Sequence, residues 1–174
     1  SSGGHCDKVL ISPNKRLFAY GGAEVQVIDE ETGNTLLKQK ADYSHAYFLL
    51  DDALIEAGID HQNANLLFVD IYPLNGEKSR LVQIPLDGFL PLSVQSSLPS
   101  IEDINVRGDL AALISGGGEI YLVSLSDGEL LYRWQAHAEG RSSNQIVFSP
   151  DGRFLVTTAE DGFLKVWGIM PGEK

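Results

Sequence analysis

Apolar residues in this chain fall in short runs, each closed by a polar cluster containing Gly, Asp, Asn or Pro. Little in the pattern repeats at 3.6 residues, so it predicts strands and turns rather than helices. The last third shows this most clearly. Ile146-Val147-Phe148 leads into Ser149-Pro150-Asp151-Gly152, Leu155 starts a second run, and Glu160-Asp161-Gly162 precedes Leu164-Lys165-Val166-Trp167. Such turn dipeptides permit tight hairpins, and the stretch predicts a small antiparallel sheet.

The same phrase recurs upstream in weaker form. Val25 to Asp29, Leu66 to Asp70 and Ile120 to Ser124 match the strand that ends at Trp167, with Ile28, Val69 and Val123 at its position. The spacings are 41 (28 to 69), 54 (69 to 123) and 44 (123 to 167). Two of them fall near the roughly 40–45 residues of a four-stranded propeller blade. Thr32-Gly33, Asn75-Gly76 and Asp127-Gly128 then lead into Thr35–Lys38, Arg80–Ile84 and Leu130–Trp134 as fourth strands. Val9–Ile11 with Leu17–Tyr20, Tyr47–Leu50 with Leu54–Ala57, and Ile104–Val106 with Leu110–Ile114 supply the first two strands of each unit.

Ala136-His137, Phe148-Ser149-Pro150-Asp151-Gly152, Thr157 to Gly162 and Leu164-Lys165-Val166-Trp167 together resemble a WD40 repeat. Gly4-His5, Ile11-Ser12-Pro13 and Val27-Ile28-Asp29 are similar in degenerate form. The resemblance implies an all-β propeller of four-stranded blades. About four are expected, over 7–41, 42–87, 101–136 and 137–169, with an ordered insertion at 85–100. Residues 1–6 read as a linker or cloning remnant, and 170–174 as a tail. It also implies a buried structural tetrad of His137, Thr157, Asp161 and Trp167. Ala136 stands where the family usually has Gly, and Gly168 where it has Asp after Trp. Units one to three lack the Trp, so their Ile28, Val69 and Val123 are expected to pack between blades.

The chain supplies fifteen strands on this reading, leaving the last blade without its outer one. Family rings commonly have about seven blades, although blade counts as low as four occur, and the resemblance implies that these four belong to a larger ring. The expected partners are therefore other proteins, including a segment or chain that completes the propeller.

Charge and composition narrow the remaining classes. The net charge of −11, from 24 acidic and 13 basic residues, disfavours nucleic acid and anionic membranes. No apolar run approaches the roughly 18 residues needed to span a bilayer. Cys6 is the single cysteine, which leans towards an intracellular setting, cytoplasmic or nuclear. His5, His45 and His61 lack metal-ligand spacing, and Gly116-Gly117-Gly118 lacks the Lys-Ser/Thr and helix of a phosphate loop, so no metal and no cofactor is expected.

His137, Thr157 and Asp161 have the residue types of a nucleophile–base–acid set, but their match to the tetrad makes a structural role the reading adopted. No catalytic residue is assigned. Trp134, in the fourth strand of unit three, is expected to pack. Arg141 and Glu160 in rim loops, and Phe89 and Leu90 in the insertion, are the candidate partner contacts. The function expected is a non-catalytic protein-interaction scaffold. A quinone-cofactor or peptidase-associated propeller is the alternative.

Overall fold

The computed structural model describes residues 9–20, 24–41, 45–60, 66–86, 100–137 and 145–169, with the backbone alone for 18–20. These residues form fifteen strands and no helix. Sheet 1 contains β1 (Val9–Ile11), β2 (Leu17–Tyr20), β3 (Glu24–Asp29) and β4 (Thr35–Lys40). Sheet 2 contains β5 (Ala46–Leu49), β6 (Ala53–Ile59), β7 (Leu66–Pro73) and β8 (Arg80–Pro85). Sheet 3 contains β9 (Ile101–Arg107), β10 (Leu110–Ser115), β11 (Glu119–Ser124) and β12 (Leu130–Gln135). Sheet 4 stops at three strands, β13 (Gln145–Phe148), β14 (Phe154–Thr158) and β15 (Leu164–Gly168). Every sheet is an antiparallel meander in chain order. The first strands lie side by side, β1 against β5, β5 against β9 and β9 against β13. This is the blade-by-blade plan of a partial propeller.

Because side chains alternate across a strand, each central sheet has two apolar faces and needs a neighbour on each. Val25 and Val27 of sheet 1 pack on Tyr47, Leu49 and Leu54 of sheet 2. The other face of sheet 2, with Ile55, Ala57 and Val69, packs on Ile104, Leu113 and Val123 of sheet 3. Ile114 and Ile120 on the far side of sheet 3 meet Ile146, Phe148 and Leu155 of sheet 4. Asp103 and Asn105 of β9 add hydrogen bonds across the last joint, accepting from the backbone N–H of Ile146 and Phe148 at 3.1 and 3.2 Å.

The register corrects one position in the repeat. The partners of the second residue in each second strand are Ile28, Tyr72, Val123 and Trp167. Tyr72, and not Val69, therefore corresponds to Trp167. The cause is the length of β7, which continues for three residues past Asp70 to Pro73. The spacings become 44 (28 to 72), 51 (72 to 123) and 44 (123 to 167).

Sheets 1 and 4 share one turn chemistry. Ser12 Oγ donates to Asn14 Oδ1 at 2.8 Å, and that oxygen accepts the Arg16 N–H. Ser149 Oγ donates to Asp151 Oδ1 at 2.6 Å, and that oxygen accepts the Arg153 N–H. Both turns need a left-handed residue one position later, Lys15 at φ 62° and Gly152 at φ 71°. Gly152 also lies under the Arg107 guanidinium, where a Cβ would collide with it.

Two predictions follow from the paired turns. Lys15→Gly should stabilise the chain by about 1 kcal/mol, since L side chains resist this conformation, whereas Gly152→Ala should destabilise it by at least as much. Urea unfolding of both variants measures the pair. Asp151, exposed and held by the Ser149 hydroxyl and then by Arg153, has its pKa lowered to about 2. A folded value below the unfolded one means that the turn is strengthened above about pH 4, and the gain is lost as pH falls towards that value. The Arg153 amide signal, followed by NMR, should titrate with a midpoint near 2, and Asp151→Asn should abolish that step.

Candidate functional site: two buried relays and an open sheet

His137 sits in the connection after β12, fully buried, with Thr157 on β14, Asp161 in the β14–β15 turn and Trp167 on β15. Trp167 Nε1 donates to Thr157 Oγ1 at 3.1 Å. His137 Nε2 lies 2.8 Å from the same oxygen, and His137 Nδ1 lies 2.9 Å from Asp161 Oδ2. The indole can only donate, so the Thr157 hydroxyl is free to send its own proton to His137 Nε2. The imidazole then carries its proton on Nδ1, donated to Asp161. This assignment gives every group in the row a partner. Asp161 Oδ1 meanwhile accepts the Phe163 N–H at 3.0 Å and ties the turn to the relay.

The backbone around His137 is held as firmly. Gly118 O accepts the N–H of both Ala136 and His137. Gln135 Nε2 donates to the His137 carbonyl at 2.5 Å, and Lys165 Nζ to the Ala136 carbonyl at 2.5 Å. Gly118, at φ 78°, makes the approach possible, because a Cβ there would stand 2.8 Å from His137 O. The nucleophile–base–acid order is present, but Thr157 has no exposed surface and its hydroxyl is committed at both ends. A substrate cannot reach it.

A second relay, in sheet 2, went unseen in the sequence. Tyr72 occupies the place of Trp167, and Glu56, two residues after Leu54, occupies that of Thr157, two after Leu155. Tyr72 OH donates to Glu56 Oε2 at 3.0 Å, and Tyr47 OH to Glu56 Oε1 at 3.0 Å. His45 Nδ1 lies 2.7 Å from Glu56 Oε1. Gln39 of sheet 1 donates to Tyr72 OH at 3.2 Å and links the relay to the neighbouring sheet. Burial, then the Glu56 carboxylate, pushes the Tyr72 phenol far above its ordinary pKa, so it stays a donor. Gly58 lets the imidazole of His45 lie against the strand, where any Cβ would overlap it. Sheet 2 thus carries a polar network of its own without the Trp, while Val69 packs in the layer between sheets 2 and 3. The usable signal was spacing: Tyr72 lies 44 residues after Ile28.

Between sheets 2 and 3 the polar cluster is different again. Arg133 Nε and Nη2 each donate to Glu119 at 3.0 Å, and Tyr121 OH donates to the same carboxylate at 2.9 Å. Val123 and Leu113 there leave the relay positions apolar.

Beyond the relays, sheet 4 presents a face that nothing covers among the described residues. Val147, Val156 and Val166 stand opposite one another across β13, β14 and β15, flanked by Phe154 and Leu164. Val166 is 57% exposed, whereas Val69, on the corresponding face of sheet 2, is 0% exposed. Val9 and Ile11 are similarly open on the outer side of sheet 1. Glu160 is exposed in the β14–β15 turn. Arg141, Phe89 and Leu90 lie outside the described residues. Trp134 is half-buried and meets Trp167 edge-on at 5.5 Å, with its Nε1 buried and without an acceptor among the described residues. Among the described residues there is no group of three or more His, Cys, Asp or Glu suited to a metal, and no helix long and apolar enough to cross a membrane.

Thr157→Val should strip partners from Trp167 Nε1 and His137 Nε2 together, costing about 2–4 kcal/mol by the price of unsatisfied buried groups. Glu56→Leu should cost a similar amount by removing the acceptor of two phenols from a buried site. Asp161→Asn keeps an acceptor for His137 and should cost less. Equilibrium urea unfolding gives the order, and an unchanged midpoint for Thr157→Val would remove the sheet 4 relay from the account.

Comparison with known proteins agrees with this geometry. The family model described as WD domain, G-beta repeat matches residues 128–168, from the β11–β12 turn to the end of β15. Protein ROOT INITIATION DEFECTIVE 3 of Arabidopsis thaliana is 40% identical over 60 residues, covering 33% of this chain and 13% of that protein. Periodic tryptophan protein 2 of Saccharomyces cerevisiae is 28% identical over 128 residues, covering 72% of this chain and 13% of that protein. The chain thus spans 13% of the length of either relative. Among solved structures, the computationally designed Ika4 protein aligns with a TM-score of 0.63 at 19% identity, over 98% of this chain and 96% of that one. The designed Ika8 protein aligns with a TM-score of 0.57 at 18% identity, over 89% of this chain and 43% of that one. These two likenesses concern the fold alone. The comparisons thus support a WD40-repeat family for the chain, with the repeat itself recognised over residues 128–168 and sheets of the same plan in series before it.

Proposed function

We propose that the chain is a non-catalytic scaffold, a propeller portion whose uncovered sheet faces dock other protein, including the sheets that would continue the ring. The observation that supports this most directly is the apolar row Val147–Val156–Val166. The equivalent faces of sheets 1, 2 and 3 are each sealed by the next sheet, and the sheet 4 face is built of the same residue types. An exposed β-branched row of this kind marks an interaction surface. The sealed relays favour a structural use of His137, Thr157 and Asp161. The family's usual role, protein interaction, fits an assembly inside the cell, in cytoplasm or nucleus. The tetrad is read as the staple that keeps β14 and β15 in place so that this face stays flat.

Purification of the tagged chain from its native source, followed by chemical cross-linking and native mass measurement, tests the reading. Complexes heavier than the 19.0 kDa chain, cross-linked through sheet 4 or sheet 1, are the expected result. The double variant Val147→Asp with Val166→Asp should lose them while keeping its strand signal in circular dichroism. A chain that stays monomeric in both forms would contradict the proposal.

A further inference from the structure

The layer between sheets 2 and 3 holds an arginine of the chain's own. Arg133 of β12 stands directly opposite Tyr121 of β11. It donates twice to the Glu119 carboxylate at 3.0 Å and sets its guanidinium 5.4 Å from the centre of the Tyr121 ring. Register carries these positions onto sheet 2. Tyr121 and Glu119 lie two and four residues before Val123, and Asp70 and Phe68 lie two and four before Tyr72, its equivalent. On β8 the partner of Asp70 is Leu81 and that of Phe68 is Gln83. Leu81, 53% exposed, therefore stands where sheet 3 has Arg133. A cavity of about 370 Å³ opens beside it, lined among others by His45, Asp60, Leu66, Phe68, Leu81 and Gln83. No Lys or Arg is among its described lining residues.

We propose that this cavity is an anchor pocket for one arginine side chain presented by a protein partner. The proposal rests on the scaffold reading and names a side chain through which the partner is held. The parts that clasp Arg133 in sheet 3, a carboxylate and an aromatic ring, are both present in sheet 2 as Asp60 and Phe68. What is missing is the guanidinium. The wall is already rigid. Phe68 meets the His45 ring edge-on at 4.9 Å, and His45 is tied to Glu56 across Gly58, where any Cβ would overlap the imidazole. A pre-formed wall lowers the ordering cost of binding.

Charge selects a cation. Glu56 and Asp70 stand directly opposite each other on β6 and β7, and Asp70 Oδ1 is buried without a donor among the described residues. With Asp60 they make the site negative in a chain of net charge −11. Shape then selects arginine over lysine. A guanidinium is planar, weakly hydrated and able to stack on a ring while its fork meets a carboxylate, whereas an ammonium is a strongly hydrated point charge. The methylene stem finds Leu66 and Leu81 at the mouth.

NMR titration of the 174-residue chain with three probes tests this. They are the end-capped peptide Gly-Gly-Arg-Gly-Gly, the same peptide with neutral citrulline for arginine, and acetyl-arginine amide. Both arginine probes should bind in the millimolar range and shift the Phe68 and Gln83 amide signals, and the citrulline peptide should not. Asp60→Asn should weaken binding about tenfold through loss of one charged hydrogen-bond acceptor. Leu81→Arg, at an exposed position, places a guanidinium in the cavity from within, as Arg133 does in sheet 3. It should abolish binding and leave the circular dichroism unchanged. Absence of shifts with either arginine probe would overturn the proposal, as would equal binding of the citrulline peptide or undiminished binding to Leu81→Arg. Binding of acetyl-arginine amide without the peptide would overturn it too, by making the pocket a site for a free amine-bearing molecule. Assembly that is lost in Val147→Asp with Val166→Asp would, in any of these cases, leave the scaffold reading standing.

Discussion

No sheet of this chain can bury both of its faces alone. Each central sheet carries Val, Ile, Leu or Ala on two sides, and only a neighbour packed against each side removes them from water. That requirement orders the whole structure. It sets β1, β5, β9 and β13 side by side, divides the interior into three apolar layers, and, among the described residues, leaves one face open on sheet 1 and one on sheet 4. Packing supplies the driving force, and the polar relays fix the geometry in which it acts.

The two relays solve one problem with different residues. A second strand and a third strand must keep their register while one face is pressed against the preceding sheet. In sheet 4 the row Trp167–Thr157–His137–Asp161 joins β15, β14, the incoming connection and the turn. In sheet 2 the carboxylate of Glu56 collects Tyr72, Tyr47 and His45 at once. A buried carboxylate with three partners is tolerable where one with none would not be. Sheet 3 keeps the apolar pair Leu113 and Val123 there and moves its polar cluster to Glu119, Tyr121 and Arg133.

Much of this was legible from residue order. Period-two runs with Gly-containing turns give fifteen strands without a helix, and the motifs around His137 and Trp167 give the repeat. Tyr72 was not legible, because Val69 also ends an apolar run and no local rule says that β7 continues for three more residues. Glu56 looks like a surface acid until register places it opposite Tyr47 and near Tyr72. The open face is invisible for a different reason. Val147 and Val166 are the same residue types as the sealed Val69, and exposure depends on what packs beside a strand, not on its own sequence.

The central claim is that sheet 4 is completed by protein other than the residues described. Amide hydrogen exchange of the isolated chain, resolved strand by strand, tests it most directly. The account predicts slow exchange in β10 and β11, which are covered on both faces, and fast exchange at β15. Amides of β15 protected as strongly as those of β11 in the isolated chain would contradict it.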